Sequence, residues 1–159
     1  MSVIEAERVT KIYKEGRFEV PAVQEVTLAA EPGEVLAILG PSGSGKTTLL
    51  SMLGCMLRPT SGTIKIHGEQ VSDLDERRLP AVRRRYVGFI FQSFNLFSAL
   101  SASENVEVVL QLKGHDRRAR RAETVRLLEA VGLSDRAHFL PRDLSGGQRQ
   151  RVSIARALA

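Results

Sequence analysis

Up to Ala30 the apolar residues recur at the short spacing of β-strands. Between Ser2 and Tyr13 they fall at Val3, Ile4, Val9 and Ile12, and from Phe18 to Ala30 they run through Val20, Val23, Val26 and Leu28, with Gly16 placed to turn the chain between the two segments. Pro32-Gly33 breaks the pattern. Glu34 to Leu39 is then a nearly continuous apolar run, which predicts a short strand buried on both faces of a parallel sheet. From Lys46 to Leu57 the spacing becomes helical, with Leu49, Leu50, Leu53 and Met56 or Leu57 on one face, and Arg58-Pro59-Thr60-Ser61-Gly62 ends it. Thr63 to His67 alternates as a strand, Asp75 to Arg85 is charged and predicts a helix despite Pro80, and Tyr86 to Phe91 is β-rich, with Gln92 at its carboxyl end.

Beyond Gln92 strands disappear. Ser103 to Lys113 and Asp116 to Val131 predict amphipathic helices separated by Gly114, the second turning Val125, Leu128 and Val131 or Leu127 inward. A last helix is expected from Ser145 to Ala159, lined by Val152, Ile154, Ala155 and Leu158. No internal repeat or linker interrupts the sequence, so the helical stretch reads as an insertion into one α/β domain.

Composition narrows this picture modestly. A chain of 159 residues, 43% of them hydrophobic, has room for one domain with a core. The formal charge of +5 favours anionic partners, but much of it sits in Arg83 to Arg85 and Arg117 to Arg121, which read as solvated helix faces. No aromatic residues are interleaved with those arginines as stacking platforms, which argues against nucleic acid. Cys55 has no second cysteine to pair with, and His67, His115 and His138 lack metal-ligand spacing. The amino terminus does not read as a secretory signal and no run approaches bilayer length, so any membrane role is expected to come through a partner chain.

The strongest chemical signal follows the apolar run. Gly40-Pro41-Ser42-Gly43-Ser44-Gly45-Lys46-Thr47-Thr48 has glycine, four residues, then Gly-Lys-Thr, between an expected strand and an expected helix. Glycines without side chains let successive amides turn inward as a nest, and the helix start adds partial positive charge where phosphate oxygens would sit. Lys46 is expected to reach the β- and γ-phosphates of ATP, and Thr47 to place its hydroxyl on Mg²⁺.

A phosphate loop alone leaves many nucleotide enzymes open. Leu144-Ser145-Gly146-Gly147-Gln148, followed by Arg149 to Leu158, resembles the signature of ABC-type ATPases almost residue for residue. The same residues could also form a plain serine helix cap. Tyr13 resembles the aromatic residue that stacks on adenine, Gln92 the Q-loop glutamine near Mg²⁺ and the attacking water, and Glu104-Asn105-Val106 the opening of the helical subdomain. Glu19 to Val23 and Arg85 to Leu96 are similar to the lipoprotein-release and macrolide-export branch, whereas Ser98 to Ser103 departs from it.

This resemblance implies a P-loop NTPase core of the ABC ATPase kind, with amino-terminal antiparallel strands and an inserted helical subdomain, divided near residues 1–92, 93–143 and 144–159. It implies that Ser145, Gly146, Gly147 and Gln148 bind ATP held by a second ATPase subunit, in a head-to-tail homodimer. A transmembrane permease would be the other partner, placing the subunit peripherally on the cytoplasmic face of the inner membrane. In the family an apolar strand ending in Asp-Glu follows the signature helix; Ala159 comes first here. The carboxyl-terminal part of the domain, with the catalytic Glu, is therefore expected to be missing, leaving apolar edges exposed and this stretch alone inactive. The alternative expectation is a non-catalytic, truncated nucleotide-binding module.

Overall fold

A computed structural model describes residues 2–159. They form two compact units, one reaching to Tyr86 and the other running from Val87 to Ala159. In the first, β1 (Ile4–Glu15) and β2 (Phe18–Ala30) make a long antiparallel hairpin around Gly16, whose φ of 63° suits glycine. β3 (Ser61–Ile66) pairs with the other edge of β1, and β4 (Glu69–Gln70) follows it, giving the order β2-β1-β3-β4.

The β1–β2 ladder shifts register between Ala6 and Ile12, and there Arg8 and Glu25 adopt φ values of 46° and 44°. Such bulges take amides out of the ladder. Threonine hydroxyls accept them instead: the Arg8 amide donates to Thr27 Oγ1 and the Glu25 amide to Thr10 Oγ1, both at 3.0 Å. The Arg8 guanidinium also reaches Glu25 at 2.7 Å, but both side chains are exposed and the pair adds little.

Helix α1 (Lys46–Leu53) supplies Leu49, Met52 and Leu53 to a core shared with Val9, Val23, Ile64 and Ile66 of the sheet. It stops at Gly54, short of the Leu57 expected from the pattern, and Leu50 is exposed while Met52 is buried. Leu49, Met52 and Leu53 are the i, i+3, i+4 set that shares one helix face. Helix α2 (Leu79–Tyr86) starts after Asp75, so that Pro80 falls in its first turn, where a missing N–H breaks no helical bond.

Two expected strands do not form. Glu34 to Leu39 and Val87 to Phe91 have no regular structure, and Tyr86 ends α2. A strand buried on both faces needs ladder partners on its edges. Among the described residues the only sheet is the antiparallel one, and none of its strands pairs with either segment. Val35 and Leu39 are consequently 95% and 89% exposed, where the pattern predicts burial.

The second unit packs α3 (Ala102–Leu112), α4 (Arg117–Ala130) and α5 (Gly146–Leu158) around Val106, Leu110, Leu127, Leu128, Leu133 and Val152. Full burial of each such side chain contributes about 1.5–3 kcal/mol. On α4 the inward face is Thr124, Leu127 and Leu128; Val125, expected inside, is 61% exposed, because Leu128 and Leu127 already define the apolar stripe. Leu158 is likewise exposed, whereas Val152, Ser153 and Ala155 are buried.

The connection before α3 is held by a buried amide. Asn105 is fully buried; its Oδ1 accepts from the Phe97 amide at 2.8 Å, and its Nδ2 donates to the carbonyls of Phe97, Leu100 and Ser101 at 3.1, 2.9 and 3.0 Å. One side chain thus gives the Phe97 amide and the Leu100 carbonyl their partner, and adds to the Phe97 and Ser101 carbonyls, which also accept the Leu100 and Asn105 amides. Asn105→Ala is expected to lower unfolding free energy by about 2–3 kcal/mol, seen as a shifted urea midpoint, because the Phe97 amide and the Leu100 carbonyl lose their partner while partly buried.

Candidate phosphate-binding site

The segment Gly40 to Thr48 leads into α1, and its shape follows from its glycines. Gly43 and Gly45 adopt φ values of 80° and 84°, in the left-handed region. A Cβ at Gly45 would lie 2.0 Å from the Ala22 carbonyl oxygen, so only glycine lets this turn press against β2. A Cβ at Gly43 would meet nothing within 4 Å, leaving that side of the loop open.

Helix α1 starts unusually bare. Gly45 is its cap residue and offers no side chain, and no acidic residue stands in its first turn. The amides of Gly43, Gly45, Lys46, Thr47 and Thr48 have no hydrogen-bond partner among the described residues. By contrast, Ser101 and Glu104 form a capping box on α3, Asp116 caps α4, and Ser145 and Gln148 box α5. The backbone donors at α1 and its partial positive charge are therefore available to an external anion.

Lys46 stands over this start. Its ammonium donates to the carbonyls of Gly40 at 2.8 Å and Pro41 at 2.6 Å, and approaches Ser44 Oγ at 3.4 Å. These contacts hold the positive charge inside the loop, where a phosphate would replace carbonyl oxygens as its acceptor. Pro41, Ser42, Ser44 and Thr47 are exposed, Thr48 is half-buried, and Ser51 Oγ donates to the Thr47 carbonyl at 2.7 Å. An open groove of about 530 Å³ lies beside the loop, lined by Val23 and Leu28 of β2, Leu36 and Leu39 of the apolar run, and Lys46 and Leu49.

No group of three or more His, Cys, Asp or Glu residues among the described ones could hold a metal ion. Mg²⁺ would have Thr47 as its ligand from this loop, with phosphate oxygens completing the shell, a fit for a hard cation. Tyr13 lies on β1 opposite Val20, 39% exposed, with the Lys11 ammonium 5.6 Å from its ring centroid. It does not line the groove. Gln92 is exposed in a turn of the other unit.

The signature residues open α5. Ser145 Oγ accepts from the Gln148 amide at 3.2 Å, and the Ser145 amide donates to Gln148 Oε1 at 2.8 Å. This reciprocal box spends two of the helix's free amides; those of Gly146 and Gly147 have no partner among the described residues. Neither glycine has a positive φ, and a Cβ on either would meet nothing within 4 Å. The unit's own packing does not require glycine at these positions.

Two residues of this unit carry more than their sequence context suggests. Asn105 pins Phe97, and Arg156 binds two successive carbonyls after Gln92, its Nη1 donating to Asn95 at 2.6 Å and its Nη2 to Phe94 at 2.7 Å. Both stand inside motifs legible from the sequence, but the spacing gives no hint of partners so far along the chain.

Comparison with known proteins finds similarity along nearly the whole chain. The family model described as ABC transporter matches residues 23–159. An uncharacterized ABC transporter ATP-binding protein of Thermotoga maritima is 51% identical over 157 residues, covering 99% of this chain and 67% of that protein. The macrolide export ATP-binding/permease protein MacB of Hyphomonas neptunium is 49% identical over 156 residues, but the chain spans only 24% of its length. Among solved structures, the dimeric post-hydrolysis state of the ATP-binding cassette MJ0796, bound to ADP and Pi, aligns with a TM-score of 0.92 at 42% identity, covering 98% of this chain and 69% of that one.

Proposed function

Since this chain belongs to the ABC transporter ATP-binding family, a family of ATPases, we propose that it binds Mg²⁺-ATP at Gly40 to Thr48 and works as the nucleotide-driven part of a transporter. The bare start of α1 carries this reading: unpartnered amides, a glycine cap and the Lys46 ammonium converge where a triphosphate would present its charge. Lys46 would exchange the Gly40 and Pro41 carbonyls for phosphate oxygens, and Thr47 would hold Mg²⁺, which offsets phosphate charge when bound. Tyr13 would stack on the adenine and Gln92 would approach Mg²⁺ and the attacking water.

The second half of the proposal concerns assembly. Gly146 and Gly147 lack any internal reason to be glycine, and their free amides suit a phosphate brought by another molecule. We read Ser145 to Gln148 as the site for ATP held by a second subunit in a head-to-tail homodimer, as the dimeric relatives suggest. A permease would be the membrane partner, with the subunit peripheral on the inner face; no helix among the described residues is long and apolar enough to cross a membrane. Hydrolysis would further need the strand ending in Asp-Glu that the resemblance puts after the signature helix. The subdomain limits near residues 92 and 143 belong to the same proposal.

The test is equilibrium titration of the purified chain with a fluorescent ATP analogue and Mg²⁺. Saturable binding displaced by ATP is expected. Absence of saturation at millimolar nucleotide by a folded sample sinks the proposal, and binding without turnover in the full-length subunit favours a non-catalytic module.

A further inference from the structure

Phe94 and Asn95 follow Gln92 by two and three residues and adopt φ values of 62° and 45°, a consecutive left-handed pair with no glycine in it. Asparagine tolerates this region, but a bulky aromatic residue there is an outlier that the surroundings must impose. Local bonds contribute: the Phe94 amide donates to the Phe91 carbonyl at 3.0 Å and the Asn95 amide to that of Ser93 at 2.7 Å. The rest of the hold comes from α5. Arg156 bridges the Phe94 and Asn95 carbonyls with its two terminal nitrogens, at 2.7 and 2.6 Å, and buried Ser153 donates to Phe94 at 3.4 Å. The Arg149 guanidinium sits 5.9 Å from the Phe94 ring centroid. On the other side, Asn105 of α3 fixes Phe97 through both its amide and its carbonyl.

We propose that Arg156 is a positioning residue that locks the backbone after Gln92 to the helix carrying the signature, so that whatever engages the start of α5 also sets where Gln92 stands. Two features make Arg156 the centre of the link. Its planar fork matches two successive carbonyls, a geometry that a single lysine ammonium cannot reproduce. Burial pushes its guanidinium down from the ordinary value, yet it remains a cation, so its donors stay committed to those carbonyls. A left-handed pair released from this clamp should relax toward the common backbone regions and carry Gln92 with it. The inference rests on the proposed role of Gln92 in hydrolysis.

The experiment uses the full-length subunit with Arg156→Ala and Arg156→Lys. Hydrogen exchange of peptides spanning residues 92–97, measured without nucleotide, is expected to be about tenfold faster in the alanine variant and intermediate in the lysine variant. The KM for Mg²⁺-ATP should stay within about twofold, while kcat falls roughly 10- to 100-fold, as expected when a reacting group is misplaced without loss of binding. A melting temperature is recorded for each variant; if alanine prevents folding, the lysine variant decides. Wild-type exchange at 92–97 in the folded variants, or a loss of activity confined to KM, overturns the proposal. If the wild-type subunit shows no turnover at all, the ATPase reading fails, and the exchange result still decides whether the clamp exists.

Discussion

Lys46→Ala is expected to weaken Mg²⁺-ATP binding by roughly 10- to 100-fold, the effect of removing a charge-assisted hydrogen bond worth about 1.5–3 kcal/mol. Isothermal titration checks it directly. The loss has two sources that a conservative variant separates. Alanine removes the cation proposed to meet the phosphates, and it also frees the carbonyls of Gly40 and Pro41, which the ammonium now gathers at 2.8 and 2.6 Å. Lys46→Arg keeps the charge but offers a longer, planar fork to a loop shaped around a point charge, so much of the affinity should still be lost. Stability should change by less than about 1 kcal/mol in either variant, since the loop is exposed and α1 keeps Leu49, Met52 and Leu53 in the core. Unchanged affinity in a folded Lys46→Ala sample would mean that the bare start of α1 is an ordinary helix end.

The shape of the loop from Gly40 to Thr48, the proposed phosphate site, is legible in the sequence because its physics is local. Glycine spacing, a lysine and a threonine within a few residues dictate a left-handed turn, an uncapped helix and a cation beside it, and the structure forms each of these. The hairpin was legible for a related reason: alternating apolar residues around Gly16 fix both strands, although the bulges at Arg8 and Glu25 depend on Thr27 and Thr10, which no spacing rule connects. Glu34 to Leu39 shows the limit of local pattern. Its residues have every preference for a buried strand, yet a strand exists only when neighbours accept its hydrogen bonds, and here it stays irregular with Val35 exposed. On α4, the apolar spacing admitted Val125 as well as Leu127 and Leu128; tertiary packing chose the two leucines. Arg156 and Asn105 were invisible as structural links, because their partners are backbone carbonyls whose positions depend on the completed fold.

Substitution at Gly147 should move stability and function in opposite directions, which separates a helix cap from a phosphate site. Nothing lies within 4 Å of a Cβ at this position, its φ is not positive, and the first turn of α5 contains no acidic residue. Gly147→Asp therefore replaces the weakest ordinary helix former and adds a negative charge where the helix favours one, raising unfolding free energy by about 0.5–1.5 kcal/mol. Were Ser145 to Gln148 only a cap, that gain would be the whole result. If a second subunit brings its ATP to the amides of Gly146 and Gly147, the new carboxylate sits in the phosphate's place with like charge and excludes it. ATP-dependent association should then weaken by at least about 100-fold, since like-charge juxtaposition at an interface costs several kcal/mol. Nucleotide binding at Lys46 should remain intact, because the groups proposed to hold those phosphates all lie between Gly40 and Thr48. Sedimentation of the full-length subunit with Mg²⁺-ATP, paired with a thermal melt, reads both signs in one preparation. A Gly147→Asp protein that is more stable and still associates with wild-type affinity would leave the serine cap as the entire role of this motif.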